Sequence, residues 1–222
     1  MAGKKIFDKL LVLKKYLMKN PYKNSYAVSR YGFSLIELLV VIVIIITLMG
    51  ILIPVIAGAN ASATQARAKN NLTQLVTAVD TYYSTYNILP ANTRSAPSQD
   101  LEVNTTEPIM SVLAGFNIDE QNRKEQKFFT GEVARGTSRS NSTNGLWIEN
   151  NSAILCDPWK KRGTKRGYLL LLDYDYSENL QNPFRSGQQI QRRSVAWSSG
   201  KDGKWSRGSE KSEDNRDNVL SW

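Results

Sequence analysis

Twenty consecutive residues without a charge, Leu38 to Ala57 in LLVVIVIIITLMGILIPVIA, constrain this chain more than any other feature. As a helix rising about 1.5 Å per residue, they span the roughly 30 Å of a bilayer's hydrocarbon core. Gly50 and Pro54 interrupt the run and would weaken or kink a helix in water. Lipid tolerates both where neighbouring helices pack, so Pro54 is a candidate point of local unwinding. Glu37 stands immediately before the run, although a carboxylate in hydrocarbon costs a few kcal/mol or more. A segment serving only as an anchor gains nothing from it.

The net charge of +9 is unevenly placed. Residues 1–32 carry eight Lys and Arg against Asp8 alone, which leaves +2 for the rest of the chain. The basic excess therefore reads as a positive-inside signal beside a membrane segment. It does not read as a nucleic-acid footprint, and no nucleic-acid partner is expected. The small-x-small triplet Ala59-Asn60-Ala61 could mark a secretory cleavage site. Against this, the leader is long and the apolar run exceeds the roughly 7 to 15 residues usual in such a signal.

Beyond Ala57 the helical pattern continues with a different face. Leu72, Leu75, Val76, Val79, Tyr82, Tyr83 and Tyr86 recur at steps of three and four, the period of an amphipathic helix. Asn87 and Pro90 predict its end. One helix from 33 to about 87 follows, with an apolar stripe for a soluble domain on its second half only.

The remainder is loop-rich. Residues 91–104 (ANTRSAPSQDLEVN) read as loop. TTEPIMSVLAGF reads as a short helix, with Thr106 as its cap, Pro108 in the first turn and Gly115 at its end. Arg135 to Gly145 is a loop of turn formers. KFFTGEVA, GLWIEN, GYLLLLDYDY and RRSVAWSS have the composition of strands. Their connections are too short for helical crossovers, so the sheet is expected to be antiparallel.

Several chemistries are excluded. The chain has no histidine, which removes the usual general base and the commonest metal ligand. Cys156 is its only cysteine, so no disulfide forms within the chain, and a small semi-buried role is expected. DYDYSENLQNPF opens like an EF-hand loop, but Glu178 takes the glycine position and Phe184 the bidentate-glutamate position. Triplets such as Asn71-Leu72-Thr73 carry no meaning by themselves. No polar constellation of an enzyme can be assembled.

The basic leader ending in Gly32, then Phe33, Ser34, Leu35, Ile36 and Glu37, then the apolar helix, resembles the type III signal of type IV pilins and type II secretion pseudopilins. The resemblance implies cleavage between Gly32 and Phe33 by a membrane prepilin peptidase, and N-methylation of Phe33. It also implies that Glu37 pairs with the Phe33 amine of a neighbouring subunit, since a paired carboxylate is tolerable where an unpaired one is penalised. TAVDTYYSTYNILP is similar to the end of the long pseudopilin helix. CDPWKKRGTKRGYLLLLD resembles the Asp-Pro-Trp-Gly motif of the major pseudopilin at Asp157, Pro158 and Trp159, with Lys160 where glycine is usual. SVAWSSGKDGKW and DNVLSW resemble that subunit's closing calcium loop.

By that resemblance a structural calcium ion is the candidate cofactor, with Asp202 as the best-aligned ligand and Gly203 for the turn. Asp214, Asp217 and Asn218 remain open as the second ligand, Asp217 being favoured. Calcium takes six to eight oxygens and would tie down a domain that lacks a disulfide.

The expected fold is α+β and pilin-like: a long N-terminal helix, membrane-spanning in its first half, packed by its second half on a small antiparallel sheet. The expected divisions are a leader 1–32, an assembly helix 33–57, an amphipathic helix 58–89 and a globular domain 90–222. The expected function is that of a non-enzymatic subunit polymerising through its helix into a short fibre for type II protein secretion. A type IV pilus or DNA-uptake pilin, or a membrane-anchored extracytoplasmic binding domain, is the alternative. Expected partners are further copies, minor pseudopilins, the prepilin peptidase, an inner-membrane platform with its ATPase, and lipid. Before assembly the chain would cross the bacterial inner membrane once, with its N-terminus cytoplasmic and its domain periplasmic.

Overall fold

A computed structural model of the chain describes residues 32–91, 98–159 and 167–222. Residues 1–31 of the expected leader 1–32, part of the predicted loop (92–97) and residues 160–166, with Lys160, lie outside the described residues. The chain divides into two compact units, Met1–Leu52 and Ile53–Trp222.

Helix α1 runs Leu35–Tyr86 without a break, with Pro54 inside it. Along its first part the large apolar side chains from Leu35 to Ile56 are exposed. In the second unit, α1 buries Ala68, Leu72, Leu75, Ala78, Val79 and Tyr82, and Val76, Tyr83 and Tyr86 pack partly against the same core. The tyrosines fix the helix end by their hydroxyls. Tyr82 donates to the Gln121 carbonyl at 2.8 Å and Tyr86 to Asn122 Oδ1 at 2.8 Å. Burial pushes the Tyr82 hydroxyl up to about 12. Asn87 ends α1 in the left-handed region, at φ 56°, with its N–H on the Tyr83 carbonyl at 2.7 Å. Asparagine fills that role readily.

A four-stranded sheet provides the other layer. Its order is β1 (Leu101–Asn104), β4 (Leu169–Leu172), β7 (Ser194–Ser198), β8 (Val219–Leu220), and every ladder is antiparallel. Side chains alternate across a strand, and the burial follows that alternation. Leu170, Leu172 and Ala196 join the core that includes the α1 stripe. Leu171, Val195 and Trp197 belong to a second cluster with Leu180 and Phe184. Strands β5 (Leu180–Gln181) and β6 (Gln189–Ile190) form a small hairpin beside it. A further hairpin joins β2 (Gly145–Glu149) to β3 (Ser152–Cys156) through Asn150 and Asn151, at φ 49° and 59°. Both central residues having positive φ is the mark of a tight turn matched to strand twist.

Four expectations are corrected. Residues 101–104 are strand rather than loop. KFFTGEVA is not a strand: Phe128 and Phe129 both donate backbone N–H to the Leu113 carbonyl, and Val133 makes only an isolated bridge to Leu146. The short helix, α2 (Ile109–Leu113), begins at Pro108 without a side-chain cap. Thr106 instead donates its N–H and Oγ1 to Asn104 Oδ1. Cys156 is fully buried, 3.2 Å from Ser142 Oγ, rather than semi-buried.

Candidate assembly site

Residues 32–34 are non-helical and exposed, and α1 starts at Leu35. The Ser34 carbonyl accepts the first helical bond, from Leu38 N–H at 3.2 Å, so Ser34 is the N-cap residue. Glu37, three residues on, accepts the Ser34 N–H through Oε2 at 2.8 Å. This is one arm of a capping box, which satisfies a donor that a helix start otherwise leaves unpaired. A carboxylate in the first turn also meets the positive end of the helix dipole. Glu37 thus has a role within its own chain that the sequence analysis did not consider. The Ser34-x-x-Glu37 spacing was the sequence signal for it.

At Gly32 a Cβ would meet nothing within 4 Å, and its φ is not in the left-handed region. The described chain thus makes no demand for glycine there. Gly50 and Gly58 are equally open. Pro54 supplies no N–H, which removes the i−4 donor for the Gly50 carbonyl inside an otherwise continuous helix.

The predicted cation residues are placed around the C-terminal turn. Asp217 Oδ2 accepts the backbone N–H groups of Lys201 at 2.6 Å and Asp202 at 3.0 Å, so it pins the loop that carries Asp202. Gly200, at φ +62°, allows this: a Cβ there would lie 2.4 Å from the Asp217 carbonyl oxygen. Asp202 Oδ1 accepts the Lys204 N–H, and Gly203 has φ 73°. Asp214, in a 3-10 turn over Glu213–Asn215, accepts Ser206 Oγ at 2.7 Å, and Asn218 Nδ2 donates to Asn215 Oδ1. Asp217 Oδ1 and Asn218 Oδ1 are buried oxygens with no hydrogen-bond partner. Hard oxygens left unsatisfied suit a calcium ion, and to that extent Asp217 and Asn218 fit one. Asp214 is engaged elsewhere.

Among the described residues, the group of carboxylates close enough to share one ion is Asp100, Asp173 and Asp175, whose oxygens lie within 4.8 Å of one another. Sequence reasoning did not find it. The register that pairs Leu101 with Leu172 brings Asp100 to Asp173 across the end of β1 and β4. Asp173 accepts the N–H groups of Ser177 and Glu178, at 3.1 and 2.8 Å. Burial, reinforced by neighbouring carboxylates, pushes the carboxyls of Asp100 and Asp173 above the usual range. Hydrogen bonds from Ser177 hold Asp175 below it.

Asp157 is fully buried and Trp159 packs partly on the main core. Residues 29–53 match the family model described as the prokaryotic N-terminal methylation motif. That span contains Gly32, Phe33, Ser34 and Glu37 and most of the exposed apolar run. No curated protein and no solved structure matches the chain.

Proposed function

We propose that this chain is a pseudopilin: a structural subunit processed between Gly32 and Phe33, N-methylated at Phe33, and polymerised through α1 into a short fibre of a type II secretion system. The observation that carries the reading is the match to the methylation motif at residues 29–53, falling on a helix long and apolar enough to cross a membrane. The exposed, non-helical placement of Gly32 and Phe33 supports it, since a peptidase needs extended chain at the bond it cuts. So does the absence of any demand within the described chain for glycine at 32, because the demand can then come from close approach of the enzyme.

Glu37 has two uses in this account. In the single subunit its carboxylate caps α1, which lowers the cost of a charge awaiting assembly in the membrane. In the fibre the Phe33 amine of a neighbour gives it a charged partner and selects the axial register. Pro54 permits unwinding of α1 on assembly, where the Gly50 carbonyl already lacks its donor. Calcium at Asp217 and Asn218, with Asp202 on the pinned loop, would secure the C-terminal turn, with no demand on Asp214. These assignments favour secretion over adhesion through the Asp157-Pro158-Trp159 segment and the C-terminal turn.

The test is removal of the chain from its host, followed by complementation. The reading expects proteins normally exported to the medium to accumulate in the cell envelope, and export to return with the intact chain. Continued export, with loss of surface pili or DNA uptake instead, would transfer the assignment to a type IV pilus subunit.

A further inference from the structure

A cleft of about 670 Å³ opens between α1 and the ends of two strands in the second unit. Cavities of roughly 300 to 1,000 Å³ accommodate small-molecule ligands. Its α1 wall is Val76 and Asp80, one turn apart, and its opposite wall comes from residues 177–179 after β4 and 191–194 leading into β7. The cleft arises from a change in the sheet's apolar pattern. Ser194 pairs with Leu172 on the face that carries Leu170 and Ala196, so a small hydroxyl stands where that face otherwise packs hydrocarbon.

Ser194 is 1% exposed, and its Oγ has no hydrogen-bond partner. Leaving such a buried group unsatisfied is costly, so it requires an explanation. At the rim, the Asp80 carboxylate faces the charges of Arg193 and Arg192 without a side-chain hydrogen bond or ion pair to either, and the Gln191 amide and Arg192 guanidinium make none among the described residues. Arg193, by contrast, is fixed: it lies 3.8 Å over the Tyr83 ring and 3.6 Å from Glu178 Oε1. The 177–179 wall is held by the Asp173 carboxylate and by Asn179 Nδ2 on the Ser177 carbonyl. The walls are thus ordered while their outward polar groups are unspent.

The charges define the ligand. Arg192 and Arg193 balance Asp80 and Glu178, so the cleft has no bias toward an anion or a cation. Val76 is its one apolar side chain, which disfavours a lipid or an apolar anchor. Strand β7 is paired with β4 at Ser194–Trp197 and with β8 at Trp197 and Ser198, so only Ser194 and Val195 lack a neighbour on the β8 side, too short an edge to template an added peptide strand. What remains is a neutral ligand with many groups that both donate and accept. Vicinal hydroxyls have that character, and carboxylate, guanidinium and amide side chains each meet a pair of them with two parallel bonds.

We propose that this cleft binds a neutral saccharide unit, with Asp80, Gln191 and Arg192 gripping its hydroxyls and Ser194 Oγ closing the floor. The assignment is independent of the secretion reading. The full chain, purified in an amine-oxide detergent that carries no sugar, is applied to an array of neutral and sialylated oligosaccharides and to an array of acidic peptides. Hits are then titrated in solution. Retention of neutral oligosaccharides is expected, weakened about tenfold or more by Asp80→Ala and by Arg192→Ala, as loss of a charged hydrogen bond predicts. Both residues are exposed, so the melting temperature is expected to stay unchanged. Ser194→Ala should weaken binding without lowering the melting temperature. Failure to retain any oligosaccharide, retention of acidic peptides or sialylated glycans alone, or retention indifferent to Asp80→Ala and Arg192→Ala would overturn the proposal. Processing at Phe33 would be unaffected by any of these results.

Discussion

The two parts of α1 use apolar residues for opposite purposes. From Leu35 to Ile56 the helix displays isoleucine, valine and leucine on all sides, and every one is exposed. From Ala68 to Tyr82 it confines them to one stripe and buries it, leaving only Val76 partly covered. Periodicity therefore distinguishes a surface completed by the chain itself from one that must be completed by lipid or by other subunits. Residues of the first part should matter for assembly and little for the stability of the second unit, and residues of the second part the reverse.

Glu37→Ala gives the largest expected effect. The variant should be processed normally yet yield no fibres in electron micrographs of sheared cell-surface material. Normal fibres would remove the register argument and leave Glu37 only its capping role.

Next is the paired comparison of Leu75→Ala with Ile44→Ala in thermal unfolding of the full chain. Leu75 is 1% exposed. Its truncation should cost about 2–5 kcal/mol. Ile44 is 51% exposed. Its truncation should change the unfolding of the second unit by no more than about 0.5 kcal/mol. Equal losses would erase the distinction between the two parts.

A smaller effect is expected at the C-terminal turn. Chelating calcium should lower the melting temperature by a few degrees, about 2–4 °C per kcal/mol for a domain of this size, and Asp217→Asn should abolish the response. An identical melt with and without chelator would remove calcium from the account.

The smallest concerns Asp100. Its carboxyl is raised in the folded state by burial and by the neighbouring carboxylates. The stability it contributes is therefore present below the unfolded value of about 4 and is lost as pH rises through the folded value. Asp100→Asn should flatten the decline in melting temperature between acidic and neutral pH, with little change at the acidic end. An unaltered slope would show that the carboxylate group does not govern this dependence.

Much of the fold was legible because its signals are local. The apolar run, the Leu72 to Tyr86 stripe and the aliphatic strands at 169–172 and 194–198 are each readable within a dozen residues. LEVN escaped because a four-residue strand with two polar members looks like loop until β4 pairs with it. Phe128 and Phe129 misled because aromatic residues pack a core as readily as they fill a ladder. The β2–β3 hairpin was legible in principle through its Asn-Asn turn, whereas β5, β6 and β8 are two residues each and depend on tertiary partners.

The methylation motif at 29–53 was legible because it is linear, and the Ser34-x-x-Glu37 cap, equally linear, was spelled out in the sequence but not read from it. The Asp100–Asp173–Asp175 group and the cleft at Ser194 were not. They are products of strand register and of the packing of α1, which join residues 73 to 118 positions apart: Asp100 with Asp173, and Val76 with Ser194.

Mass spectrometry of the mature N-terminus of the chain isolated from its host membrane tests the central claim most directly. The account predicts a chain that begins at Phe33 and bears an N-methyl group, and a Gly32→Val variant that retains the leader. A mature chain beginning at Met1, or near Ser62, would contradict it.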